Sequence, residues 1–217
     1  MDAKSILSCG LVDGRPLFMD EEADSYFLLE GDIEAEFLDL VRDARPLAQS
    51  ASPALRAALT LAPTLASIVV ADAPPGERSL LDQMGTVHAR LGDALAIARL
   101  LRRVRRDISR KPISTILAAL QAATGNDEVS GPVLDRARRF LAARTLVPYA
   151  PHCLRDSLAL AQWLGPRSAA LLVFGAKLDP FGAHCWLQLG DLLLNDRVET
   201  ISLFRPVRVI RCLPDMQ

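Results

Sequence analysis

A cysteine, a histidine and an aspartate stand at Cys153, His184 and Asp196, 31 and then 12 residues apart. Together these side chains can activate a thiol. The aspartate orients the imidazole, the imidazole moves a proton, and the sulfur attacks a carbonyl carbon. A free cysteine titrates at about 8.5, and only its thiolate is a strong nucleophile. A helix N-terminus lowers that value, because its unpaired N–H groups and dipole favour a nearby anion, and a neighbouring imidazolium lowers it further. Cys153 follows Pro151-His152 and opens the apolar stretch CLRDSLALAQWLGP. The pattern predicts a helix that starts at the sulfur, where the same N–H groups can hold an oxyanion.

His184 lies in AHCWLQLG, which reads as a strand. Side chains alternate along a strand, so His184, Trp186 and Gln188 share one face while Cys185, Leu187 and Leu189 share the other. Gly190-Asp191 then makes a close hairpin, and Asp196 follows the partner strand of DLLLND. There it can accept from one imidazole nitrogen and leave the other for proton transfer. Each residue also has a plainer use. A cysteine in an apolar helix is commonly inert, a strand histidine is commonly structural, and Asn195-Asp196 alone is an ordinary turn. Their order and placement together favour the thiol chemistry.

Zinc is the rival chemistry, since His152-Cys153 and His184-Cys185 supply four possible ligands. Adjacent strand residues point to opposite faces, which argues against His184 and Cys185 sharing one ion. His152 is a weak candidate for the base, being adjacent to its proposed partner. His88 is expected to be structural.

The elements that must position these residues follow from pattern. Three β-like runs open the chain, Ser5 to Val12, Arg15 to Met19 and Ser25 to Glu30, with Asp13-Gly14 as a tight turn. GDIEAEFLDLVRDA then reads as a helix capped by Asp32, with Ile33, Phe37, Leu40 and Val41 at helical spacing. Ser52-Pro53 starts another. Ala73 to Glu77, APPGE, breaks the pattern as a candidate linker. Residues 80–109 read as one long amphipathic helix stopped by Lys111-Pro112, with His88 inside it. Helices follow at Ser114 to Ala123 and Pro132 to Arg144. After the Cys153 helix come strands at Ala169 to Gly175, Ala183 to Leu189 and Asp191 to Asn195. The expected class is α+β: a small three-stranded N-terminal sheet with helices, a helical middle, and a C-terminal helix with an antiparallel sheet. The expected division is residues 1–75 and 76–217.

Half of the 217 residues are hydrophobic, which describes a folding chain and excludes a disordered one. No apolar run reaches the roughly 18 residues of a membrane span. Leu7 to Leu11 is too short for a signal peptide, so a cytoplasmic location is expected. Cys9, Cys153, Cys185 and Cys212 show no paired spacing and are expected as free thiols. The basic run Arg99 to Lys111 reads as the solvated face of a helix, with Leu100, Leu101, Val104 and Ile108 opposite. It has no interleaved aromatics for base stacking, so no nucleic-acid partner is expected. No cofactor is expected, and there is no GxxxxGK[ST] loop for ATP.

Cys153-Leu154 with Ser157 and Leu160, then LLVFG at Leu171 to Gly175, Pro180-Phe181, Ala183-His184-Cys185-Trp186 and Leu194-Asn195-Asp196 resemble the B proteins of lasso-peptide biosynthesis. The resemblance is specific over roughly residues 150–200. It implies a transglutaminase-like, papain-like cysteine-protease fold at residues 76–217 and, over residues 1–75, a winged-helix-like element that recognises a leader peptide. It implies Cys153, His184 and Asp196 as the catalytic set. Cys185 departs mildly from the family, which usually has another small residue between the His and the Trp. The implied substrate is a ribosomally made precursor peptide, whose leader adds as a strand along Ser25, Tyr26, Phe27, Leu28 and Leu29. The implied partner is a separate ATP-using, asparagine-synthetase-like cyclase. Alternatives of different class are an acyltransferase of transglutaminase or arylamine acetyltransferase type, and a non-catalytic peptide-binding scaffold.

Overall fold

The computed structural model describes residues 7–59, 68–122, 132–165 and 168–212. Ser5, Ile6 and Ala123, included in two of the expected elements, lie outside the described residues. β1 (Leu7–Val12) and β2 (Arg15–Asp20) form a hairpin through Asp13 and Gly14. Both turn residues have positive φ, 52° and 80°, the geometry whose twist matches that of paired strands. The Asp20 carboxylate accepts from the Glu22 and Ala23 N–H groups and so shapes the next turn. β3 (Ser25–Leu28) pairs antiparallel with β2 and forms one edge of the sheet. At the other edge, short β4 (Val69–Val70) runs parallel to β1. This fourth strand is too short to leave a pattern in the sequence.

The helix after β3 is α1 (Gly31–Arg42), capped by Glu30. Asp32 is inside its first turn and is not the cap: Gly31 takes φ +58°, and the helix begins two residues earlier than its acidic pattern suggests. α2 (Leu47–Ser50) and α3 (Pro53–Ala58) follow. Ser52 caps α3 through the Leu55 N–H, and Glu36 of α1 accepts from both the Ser52 N–H and hydroxyl. Phe18, Phe37, Leu40 and Leu55 form the small core of this part.

The long helix expected from residue 80 is shorter. α4 spans Leu91–Ile108. Ahead of it, β5 (Arg78–Ser79) joins the second sheet, Leu81–Gln83 make a 3₁₀ turn, and Gly85 takes φ +57°. Leu80 is drawn inward by its N–H bond to the Leu193 carbonyl, which ends any helical register there. His88 therefore sits exposed in a connecting segment. α4 buries Ala94, Ile97, Leu101 and Val104 and exposes Arg102, Arg103, Arg105 and Arg106. α5 (Ile113–Ala122) and α6 (Val133–Arg144) complete the helical middle.

α7 (Cys153–Leu164) then packs on a five-stranded sheet of order β5-β8-β7-β6-β9. β6 (Leu171–Lys177) and β7 (Gly182–Leu189) are antiparallel, and β8 (Leu192–Leu193) folds back on β7. β6 starts two residues later than the sequence pattern suggests, after Ala169 at φ +55°. After the short α8 (Val198–Ile201), β9 (Arg205–Arg211) pairs with β6. β9 has no counterpart among the expected elements, because three arginines interrupt its alternation.

The two sheets share one interior. Leu17 and Met19 on one face of β2 join the large core with α4–α7, while Phe18 on the other face belongs to the small core. β1 lies so close to β9 that a Cβ at Gly10 would come within 2.0 Å of the Pro206 carbonyl oxygen. Arg208 of β9 and Glu21 form a buried ion pair at 2.6 Å. Ser114 at the start of α5 binds the Glu21 carbonyl and the Glu22 carboxylate. The APPGE segment is irregular and held on the second sheet: Pro74 accepts from Gln188, and Gly76 packs on Leu193.

Candidate active site

Cys153 is the first residue of α7, and His152 is its cap. The His152 Nδ1 accepts from the Arg155 N–H, and its carbonyl accepts from the Asp156 N–H. That gives His152 a structural role at the helix start. Asp156 holds the same end. It pairs with Arg144 at 3.0 Å and Arg155 at 3.2 Å and accepts from the His152 N–H. Arg144 also donates to the Val147 and Tyr149 carbonyls, which ties down the segment that leads into the cysteine. At the far end, the buried Arg136 donates to the Trp163 and Leu164 carbonyls. A carboxylate near the N-terminus and a guanidinium at the C-terminus both complement the helix dipole.

One turn inside α7, buried Ser157 donates to the Cys185 carbonyl at 3.0 Å. Asn195 donates to Ser157 at 2.8 Å and accepts from the Leu187 N–H at 2.8 Å. This polar bridge locks α7 to β7 directly below Cys153, and Asn195 is adjacent to Asp196. Sequence reasoning places Asn195 at the end of the expected Asp191 to Asn195 strand and gives it no role of its own. The available signal is Ser157, a polar residue four places after Cys153 in an otherwise apolar helix face.

The three candidate residues come together. The Cys153 thiol is hydrogen-bonded to His184, and the His184 Nε2 is hydrogen-bonded to the Asp196 Oδ2. Nδ1 is therefore the nitrogen left for the sulfur. The other oxygen of Asp196 accepts from the Arg197 N–H at 2.8 Å, and the Ser79 hydroxyl donates to the Asp196 carbonyl at 2.7 Å. The imidazole lies near the rings of Phe204 at 5.1 Å and Trp186 at 6.2 Å.

Electrostatics follow from these contacts. The bond to His184 lowers the Cys153 pKa against the opposing cost of burial, with further help from the Leu154 and Cys185 backbone. Asp196 first, then Cys153, raises His184 to about 9. The other thiols move the opposite way. Burial pushes Cys9 and Cys212 up to about 12, and Cys185 well above its ordinary value. Among the described residues no group of three or more His, Cys, Asp or Glu side chains is arranged to hold a metal ion. None of the described helices is long and apolar enough to cross a membrane.

The expected peptide-binding strand lies close by. Residues Ser25 to Leu28 form β3, and Leu29 follows it, buried in the small core. Tyr26 and Leu28 pack toward the large core, and Phe27 stacks on Phe18 at 5.1 Å. Most of these side chains are thus used internally, and what the edge strand offers a peptide is chiefly its backbone. Tyr26 also lines an apolar recess of about 160 Å³ that includes Cys153 and His184 in its wall.

A sequence model described as Transglutaminase-like superfamily matches residues 87–209, a span that contains Cys153, His184 and Asp196. No curated protein and no solved structure matches the chain.

Proposed function

This chain belongs to the transglutaminase-like superfamily, and on that premise we propose that it is a cysteine peptidase that removes the leader from a ribosomally made precursor of the lasso-peptide type. The observation that carries the reading is the Cys153 sulfur at the start of α7, bonded to His184, whose other nitrogen is bonded to Asp196. In this reading the Cys153 thiolate attacks the last leader carbonyl. The oxyanion is held by N–H groups of the first turn of α7. His184 protonates the departing core amine as the carbon–nitrogen bond breaks and a leader thioester remains. His184 then takes a proton from water, which attacks the thioester and returns the thiol. The freed leader carboxylate and the core peptide with its free amine are the products.

The open backbone edge of β3 supports the second part of the reading, a leader that pairs there as an added strand. The core would pass to a separate ATP-using, asparagine-synthetase-like cyclase, and the exposed arginine face of α4 is the proposed contact. Superfamily membership also favours a second reading, in which an amine and not water takes the acyl group.

The test is mass spectrometry of the precursor peptide encoded beside this gene, incubated with wild type and with Cys153→Ala, with and without the neighbouring cyclase. One wild-type cut between leader and core, lost in the variant, is expected. Amine incorporation without hydrolysis would favour the acyltransferase. Leader binding without any cut would favour a non-catalytic scaffold.

A further inference from the structure

We propose that Tyr26 closes an apolar subsite beside the nucleophile, and that this subsite accepts one medium-sized apolar side chain on the acyl side of the attacked bond. The inference rests on the reading of Cys153 as a nucleophile toward peptide carbonyls, and it adds what that acyl group carries. The recess of about 160 Å³ is walled by Met19, Tyr26, Ile113, Leu154 and Phe174, with Cys153 and His184 in the same wall. That volume is close to the roughly 150 Å³ of an apolar cavity that holds a benzene molecule. It has room for a Leu, Met or Phe side chain. Met19 and Phe174 are almost fully buried, so the packed side of the recess cannot yield. Tyr26 is half-buried on the edge strand β3. Its ring packs on one side against the large core and on the other meets Phe181 at 5.8 Å, a residue that is 56% exposed. Tyr26, on an edge strand and against an exposed neighbour, is therefore the wall whose size changes with least disturbance to the packed side. The N-terminal sheet, on this account, selects a residue at the cut itself as well as offering a strand edge.

The test reads alkylation of Cys153 in the intact protein, which requires no turnover. Acetyl-Ala-X and acetyl-X-Ala chloromethyl ketones, with X as Gly, Val, Leu, Phe or Trp, are reacted with wild type, Tyr26→Ala, Tyr26→Leu and Tyr26→Phe. The Cys153 sulfur forms a bond to the methylene carbon, chloride leaves, and the thiol proton goes to His184. Each rate is followed by intact mass and divided by that of iodoacetamide on the same protein. In one of the two series, Leu and Phe are expected to react at least tenfold faster than Gly. Tyr26→Ala and Tyr26→Leu shift the preference toward Trp, and Tyr26→Phe keeps the wild-type order. Rates equal within about twofold across both series in wild type, or a wild-type order in both Tyr26→Ala and Tyr26→Leu, overturn the proposal. The two readings fail separately. A clear side-chain order with an uncut precursor rejects the peptidase, and a cut precursor with flat rates rejects the subsite.

Discussion

Cys153 and His184 shift in opposite directions, and between them they set a pH window. The thiolate–imidazolium form persists above the lowered thiol pKa and is lost as His184 deprotonates through about 9. Iodoacetamide is expected to label Cys153 at a lower pH than an ordinary thiol, while Cys9 and Cys212, pushed up to about 12, stay unlabelled. His184→Ala should move Cys153 labelling toward alkaline pH, as read by peptide mapping across a pH series. An unchanged profile would reject the pairing. The sign for stability follows from the same shift. His184 has a folded pKa above its ordinary value of 6.5, so its contribution is fully present below that value and fades as pH rises through about 9. Asp196→Asn should keep the ring nearby but in the wrong tautomer, with a loss of turnover on the order of 10⁴-fold. Turnover assays on the precursor peptide check it, and near-normal rates would remove Asp196 from the mechanism.

At the scale of elements, what matters is how α7 is held against β7. The Ser157–Asn195 bridge connects the helix to the Cys185 carbonyl and the Leu187 N–H. Ser157→Ala leaves buried polar groups unpaired, at a cost of about 1–3 kcal/mol. For a chain of this size that corresponds to a Tm lowered by several degrees, roughly 2–4 °C for each kcal/mol. Thermal denaturation measures the loss. A positioning role predicts more: the Cys153 labelling profile should shift alkaline in Ser157→Ala even where the protein remains folded. If Tm falls and the profile stays fixed, the bridge stabilises without aligning the pair.

At the scale of the molecule, the two sheets form one structure because a charged pair and a glycine let them meet. Burial raises the Glu21 pKa, and Arg208 opposes that shift. Arg208→Ala would leave the carboxylate buried without its partner, at a cost of about 3–5 kcal/mol. Replacing both residues with leucine should recover much of that loss. Urea unfolding of the two variants, followed by far-ultraviolet circular dichroism, makes the comparison. Because Leu17 and Met19 share the large core, the wild type is expected to unfold in a single transition. Two separated transitions would contradict the shared core.

Some of this protein is written in local sequence. The Asp13-Gly14 hairpin, the Ser52 cap of α3, the helix that starts at Cys153 and the alternation around His184 are all recoverable from neighbouring residues, because turn chemistry and side-chain period act over a few positions. The order of Cys153, His184 and Asp196 along those elements also marks them as a group, and the structure brings their side chains together. Tertiary structure decided what depends on distant partners. β9 carries three arginines, of which Arg208 is buried against Glu21. The helix expected from residue 80 gives way to Leu80 bonded to Leu193. Asn195 ends an expected strand with no assigned role until Ser157 faces it, and Tyr26 looks like part of an edge strand until α7 places Cys153 beside it. Propensity and period are local, whereas the cost of burying a polar group depends on what the rest of the chain brings to meet it.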